Sequence, residues 1–290
     1  MTYRLDLGEP LAEQLQARAA DQLRAAMTQL DAAEPDRAVA VRQARKSIKK
    51  ARAALRLART AMPKPSFRAH DRALRDAGRA LAPLRDADML GPAVDRLAAT
   101  FAGRVPAATF EAARAAVAHL PQAAGCPSSD GAAAMSAARA AVERSLAGVP
   151  GWPVAGCDAD AVVAGCARSY GRGRAAWRAA RRGADGEELH EWRKAAKELW
   201  YHERLLRGAW PALLDAQIAE VKHLSDVLGD EHDLAVLAPA VAEEVPDLLP
   251  LIAERRAMLA EQADASGRRI YAERPRAFER RVRALVRAAR

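Results

Sequence analysis

Aromatic residues are scarce in this chain, at 4% of 290 residues. A stacking platform for single-stranded nucleic acid needs several aromatics on one face, and no such set is evident. Cysteine is scarce as well. Cys126, Cys157 and Cys166 are the three present, and no CxxC occurs. Neither a disulfide framework nor a structural zinc site is therefore expected, and a reducing cytosol fits. Long apolar runs are missing: no stretch approaches the roughly eighteen residues of a membrane span. The N-terminal MTYRLDLGEPLAEQL has no apolar core of signal-peptide length. The expectation is a soluble, cytoplasmic protein without membrane insertion. Strict apolar–polar alternation is absent too, which argues against a sheet.

What the chain does have is alanine, arginine and leucine. Half its residues are hydrophobic, enough for a substantial core, and 29% are charged. Good helix formers dominate, so the predicted fold class is all-α. The net charge is +9, which implies an acidic partner such as nucleic acid, a phosphate polymer or anionic lipid.

Breakers divide the chain into helical lengths. Pro35 opens a segment that ends near Met62-Pro63-Lys64-Pro65. Further helices fit Ser66 to Leu84, Asp86 to Phe101 and Ala107 to Leu120, followed by a loop over Pro121 to Gly131. GVPGWPVAGC, Gly148 to Cys157, reads as a linker. A second helical series follows, with breaks near Gly183 to Gly186, at Gly208 and Pro211, and at Gly229. The two series look alike. VRQARKSIKKAR at Val41 pairs with LHEWRKAAKELW at Leu189, and LAPLRDADML at Leu81 pairs with LGDEHDLAVL at Leu228, at nearly one offset. Such a pattern suggests a duplicated helical half, 1–150 and 151–290.

Each half carries a basic stripe. On the first long helix Arg42, Arg45, Lys49, Arg52, Arg56 and Arg59 share an arc of roughly 100°. Ala44, Ile48, Ala51, Leu55 and Ala58 form the adjoining apolar arc. In the second half His190, Arg193, Lys197, Tyr201 and Arg204 share about 80°, beside Trp192, Ala196 and Leu199. Few carboxylates sit within these sectors. Aligned like charges repel, a cost that a polyanion would relieve. A solvated helix face is the plain alternative. Lys46, Lys50 and Lys194 lie at the sector margins. Arg75 and Lys222 are equivalent basic positions on the third helices, and Arg85 and His232 match across the halves.

These residues resemble the CHAD family, the conserved histidine α-helical domain. His190, Arg193, Lys197 and Tyr201 match its spaced pattern, with LHEWRK, WYHERLL and LGDEHDLAVL beside them. Arg45, Lys49, Lys50 and Arg52 match in the first half, where RALAPLRDADML resembles the corresponding helix junction. Arg42 stands where the family has its first histidine, which argues against essential acid–base chemistry there. Glu198 and Trp200 replace further basic positions. The resemblance implies two pseudo-symmetric helical bundles around a basic groove or pore that binds inorganic polyphosphate, without catalysis or cofactor, and association with polyphosphate granules. The donors would be Arg42, Arg45, Lys46, Lys49, Lys50, Arg52 and Arg56 from the first half. His190, Arg193, Lys194, Lys197, Tyr201 and Arg204 would serve from the second, with Arg75, Lys222, Arg85 and His232 as outlying members.

Two rivals remain at this level. Glu187-x-x-His190 and Glu220-x-x-His223 have the spacing of di-iron bundles, and His70-Asp71 and His232-Asp233 are HD dipeptides of metal phosphohydrolases. Arg193, Lys194 and Lys222 would repel a cation, and Asp86 and Asp233 read better as helix caps or arginine partners. The other rival is nucleic-acid binding, suggested by nine arginines between Arg268 and Arg290 and by GRGRAAWRAARRG from Gly171 to Gly183. His119 and His202 have no partner pattern and, with His70 once its HD reading is set aside, are expected at the surface or in the core. Trp192, Trp200 and Trp210 are expected in the core, as are the cysteines.

Overall fold

The computed structural model describes residues 3–32, 37–81, 87–119, 128–183 and 186–290. Among the described residues every regular element is a helix. The order is α1 (Leu11–Asp31), α2 (Arg37–Leu57), α3 (Lys64–Ala80), α4 (Ala87–Thr100), α5 (Ala107–His119) and α6 (Ser128–Ala147). There follow α7 (Ala159–Ala180), α8 (Gly186–Leu205), α9 (Pro211–Val241), α10 (Leu249–Ile270) and α11 (Pro275–Ala288). Short 3₁₀ turns extend α2 over Ala58–Ala61 and precede α9 and α10. No described helix is long and apolar enough to cross a membrane.

The breakers predict most of these boundaries. Pro63 and Trp210 precede helices that carry proline in the first turn, where the missing N–H costs nothing. Asp158 caps α7 by accepting from the Ala161 N–H at 2.8 Å. Two expectations fail. Ser128 to Gly131 is the first turn of α6, not loop. Gly229 does not break a helix: α9 runs unbroken through it. Glycine in a helix costs about 1 kcal/mol, but this one is buried under the Arg193 guanidinium, whose Nε would lie 3.6 Å from a Cβ added there. Burial in tertiary packing overrides the local preference. LGDEHDLAVL is consequently mid-helix and not a junction. Pro35, Leu84 to Asp86, Leu120 and Pro121 to Cys126 lie outside the described residues, so the expectations on them, including those for Arg85, Asp86 and Cys126, have no structural counterpart here.

The apolar arcs become one continuous core. Ala44, Ile48, Ala51, Leu55 and Ala58 are buried, as are Trp192, Ala196 and Leu199. α1 packs on α2 and α6, and α3 on α2 and α6. On the other side α8 lies between α7 and α9, with α11 against α7 and α10 against α9. The two sets meet where α2 packs on α7 and α8, and where α4 and α5 pack on α9. Cys157 and Cys166 are buried free thiols. Trp210 departs from expectation: it is exposed at the start of α9.

Candidate functional site

Helices α2 and α8, which carry the basic stripes, pack on each other. His202 fastens the contact. It is fully buried, with Nδ1 3.0 Å from Ser169 Oγ on α7 and Nε2 3.0 Å from the Ala53 carbonyl on α2. A carbonyl only accepts, so the neutral ring holds its hydrogen on Nε2. Burial pushes the His202 pKa down to about 4. The ring is therefore neutral near pH 7 and acts as a strut.

Beside it lies a carboxylate that the stripe on α8 conceals. Glu198 accepts from Arg56 Nη1 on α2 and, at 2.8 Å, from Arg172 Nη1 on α7. Burial works to raise its pKa, but the bonded guanidiniums of Arg56 and Arg172 hold it below the ordinary range. Asp71 on α3 is a second counter-charge. It accepts both branches of Arg52 at 2.8 Å and Arg56 Nε at 3.0 Å. Burial opposes its ionisation, and the two arginines outweigh it. The expectation that few carboxylates neutralise the stripe is corrected at this end. Arg52 and Arg56 are tied by residues from other helices, and such buried pairs hold α2, α3, α7 and α8 in register.

The rest of the stripe is differently placed. Arg45 Nη1 donates to the Gly78 carbonyl of α3 at 3.1 Å, and Arg193 lies against Gly229 of α9. The two contacts differ: Arg45 bonds to a glycine carbonyl, whereas Arg193 covers the Cα side of its glycine. Arg42 and Lys46 are exposed, with no carboxylate partner among the described residues. Lys49 and Lys197 are half-buried. Lys49 is near enough to His190 for its charge to act on that ring. Burial first, then Lys194 and Arg193, hold the His190 pKa below its usual value, with Glu191 opposing. Its ring lies against that of His232 of α9, centroids 4.7 Å apart and planes tilted by 34°. Its Nδ1 is buried without a hydrogen-bond partner.

A second cationic group gathers around the N-terminal segment. Leu5 N–H donates to the Leu205 carbonyl at 2.8 Å, and Tyr3 OH donates to the Lys50 carbonyl at 2.7 Å. The Tyr3 ring carries Lys50 and Arg204 over it, each at 5.5 Å, and Arg204 also lies 4.9 Å from the Trp200 ring. Burial, then Arg204 and Lys46, lower the Lys50 pKa. Nothing in the spacing of α2 or α8 pointed to Tyr3.

Tyr201 differs from its expected role as a donor. It is 3% exposed, packs edge-on to Tyr3 with centroids 6.2 Å apart, and burial raises its pKa to about 12. It sits at the boundary of the apolar arc, and packing draws it into the core. The outlying residues are spent locally. Lys194 pairs with Glu191 at 2.6 Å, Lys222 with Asp226, and Arg75 with Asp76 at 3.2 Å. These are exposed pairs of small energetic weight. Asp233 holds Arg96 of α4 at 3.0 Å, as an arginine partner should.

The residues of the metal reading are engaged elsewhere. Glu220 accepts from Arg269, Asp71 from Arg52 and Arg56, and Asp233 from Arg96. Among the described residues no three of His, Cys, Asp and Glu cluster as a metal site would need. Several of the C-terminal arginines are paired with carboxylates of this chain. Arg268 meets Asp264, Arg269 meets Glu220, Arg281 meets Glu273, and Arg283 meets Asp160. Phe278, Val282 and Val286 bury the other face of α11.

Among the described residues the chain is all-α, and α2 and α8, each rich in basic residues, pack on each other and are fastened by a buried histidine and arginine–carboxylate pairs. A family model for the CHAD domain matches residues 17–242, and the chain belongs to that family. The crystal structure of the CHAD domain from the plant Ricinus communis is similar over 99% of this chain and 95% of that chain, with 21% identity and a TM-score of 0.55. That likeness is one of fold. No curated protein sequence matches the chain.

Proposed function

We propose that the seam between α2 and α8 is a basic groove that binds inorganic polyphosphate without catalysis, and that 1–150 and 151–290 are two pseudo-symmetric halves presenting cations to one chain. The observation that carries this reading is that α2 and α8, which bear Arg42, Arg45, Lys46 and Lys49 and His190, Arg193 and Lys197, pack on each other, with Lys49 near enough to His190 for its charge to act on that ring. Polyphosphate offers charge and spacing and no bases, so forked arginines and lysine point charges suffice to hold it. Lys50 and Arg204 extend the cations toward Tyr3. Arg52 and Arg56 shape the wall through Asp71 and Glu198 and add to the field. In a cell that stores polyphosphate, such binding would keep the protein in the cytoplasm on polyphosphate granules.

His190 gives the reading a pH signature. Its pKa is depressed in the free protein, and a neighbouring polyanion favours the charged ring. Binding therefore takes up a proton, and affinity rises as pH falls from about 7.5 to about 5.5. His190→Gln should flatten that rise. Calorimetry in buffers of different ionisation enthalpy measures the uptake directly; equal pH dependence in both proteins would contradict it.

Nucleic acid is the second reading, motivated by the arginines between Arg268 and Arg290, several of which already meet carboxylates of this chain. Titration with long-chain polyphosphate, short oligophosphates and duplex DNA at one ionic strength separates the two. The proposal expects long-chain polyphosphate to bind tightest and DNA to compete poorly. Equal competition by DNA would reverse the assignment.

A further inference from the structure

The arginine run from Gly171 to Gly183 is only partly used by the α2–α8 seam. Helix α7 carries two arginine rows. Arg168 and Arg172 lie beside Arg59 at the end of α2, and their charges, after burial, help hold the Arg59 pKa down. Arg174 and Arg178 follow at i and i+4, with a mean direction about 120° around the helix from the first row, and Arg182 stands in the turn just past the end of α7. With Gly171, Ala175 and Pro275 they line an open cleft of about 320 Å³ against the start of α11. Arg174 Nε donates to the Tyr271 carbonyl at 3.1 Å, which fixes that side chain at the cleft.

Arg178 and Arg182 are exposed and have no acidic partner among the described residues. Their neighbours are different: Arg181 and Arg268 both meet Asp264, and Arg281 meets Glu273. Like charges one turn apart on a helix repel, and here no described carboxylate relieves them. We infer that this cleft is a second phosphate-binding site, occupied by the part of a polyphosphate chain that leaves the α2–α8 groove past Arg59 and Arg168. The inference rests on the proposed function. Once one segment of a polymer is held in the groove, the second contact is intramolecular, so it strengthens binding only of chains long enough to span both sites.

The test is the double variant Arg178→Glu/Arg182→Glu, with Arg174 kept because it holds the Tyr271 carbonyl. Long-chain polyphosphate should lose about tenfold in affinity, while tripolyphosphate, too short to span, binds the variant as it binds the wild type. Unchanged long-chain affinity overturns the second site. So does an equal loss for tripolyphosphate, because the arginines would then act on the groove or the fold. A loss for duplex DNA alone would make the cleft a nucleic-acid contact and also overturn it. Failure of the wild type to bind any polyphosphate is a separate result: it removes the groove reading itself.

Discussion

Reversing charge at Arg45, Lys49, Arg193 and Lys197 together is expected to abolish polyphosphate binding, a loss of at least about 100-fold, while the helical content stays intact. The four side chains stand on the arcs beside the buried ones, so Ala44, Ile48, Trp192 and Ala196 keep their packing. The strut at His202 and the pairs of Glu198 and Asp71 are untouched by these changes. Arg45 gives up its hydrogen bond to the Gly78 carbonyl, worth on the order of 1 kcal/mol. Four reversed charges also turn attraction into repulsion along the chain. Calorimetry reads the binding and circular dichroism the helicity. The same reversal at Arg114, which pairs with Asp95 between α5 and α4, should change affinity little. Retained binding in the quadruple variant would remove the seam as the site.

Glu203→Gln is expected to stabilise the protein, and more so at higher pH. Glu203 is 2% exposed beside Cys166 of α7, and its Oε2 has no hydrogen-bond partner. Gln217 of α9 donates to Oε1, and Arg281 of α11 is the nearby cation. Burial outweighs both and pushes the carboxyl up to about 8. A carboxyl raised in the fold costs nothing below its unfolded pKa and destabilises progressively as pH rises toward the folded value. Glutamine keeps the shape without the charge. The gain should be near zero at about pH 4.5 and roughly 3 kcal/mol at about pH 7.5, several degrees in Tm. His202 works in the opposite sense. Its stabilising neutral form is fully present above about pH 6.5 and is lost as pH falls toward 4. Thermal melts of wild type and variant across pH 4 to 9 separate the two. A Glu203→Gln protein that gains nothing at high pH would show that the carboxyl is solvated.

The all-helical class was legible because alanine, arginine and leucine fill the chain and proline and glycine punctuate it. The apolar arcs of α2 and α8 were legible for the same reason, and the side chains they name are the ones buried. What escaped lies between helices. Gly229 reads as a breaker locally but is covered by Arg193 from α8. Asp71 and Glu198 lie outside the arc of α2 and neutralise Arg52 and Arg56 across helix contacts, one of them 142 residues away in sequence. Periodicity along a single helix carries no information about such partners. His202 looked idle because its two partners, Ala53 and Ser169, sit on other helices. Tyr201 stood on the border of the basic arc, where an angle cannot decide between core and surface. Tyr3 was invisible as a cation platform until the N-terminal segment was seen to pair with the end of α8.

The most direct measurement is the affinity of the wild-type protein for long-chain polyphosphate as a function of salt. Cations that neutralise a chain of phosphates release its counterions, so log K should fall linearly with log salt, with a slope steeper than about −3 if four or five cations engage. The quadruple variant should bind at least about 100-fold more weakly at low salt and with a shallower slope. A wild-type affinity that is flat with salt, or absent at low salt, would contradict a charge-read groove between α2 and α8.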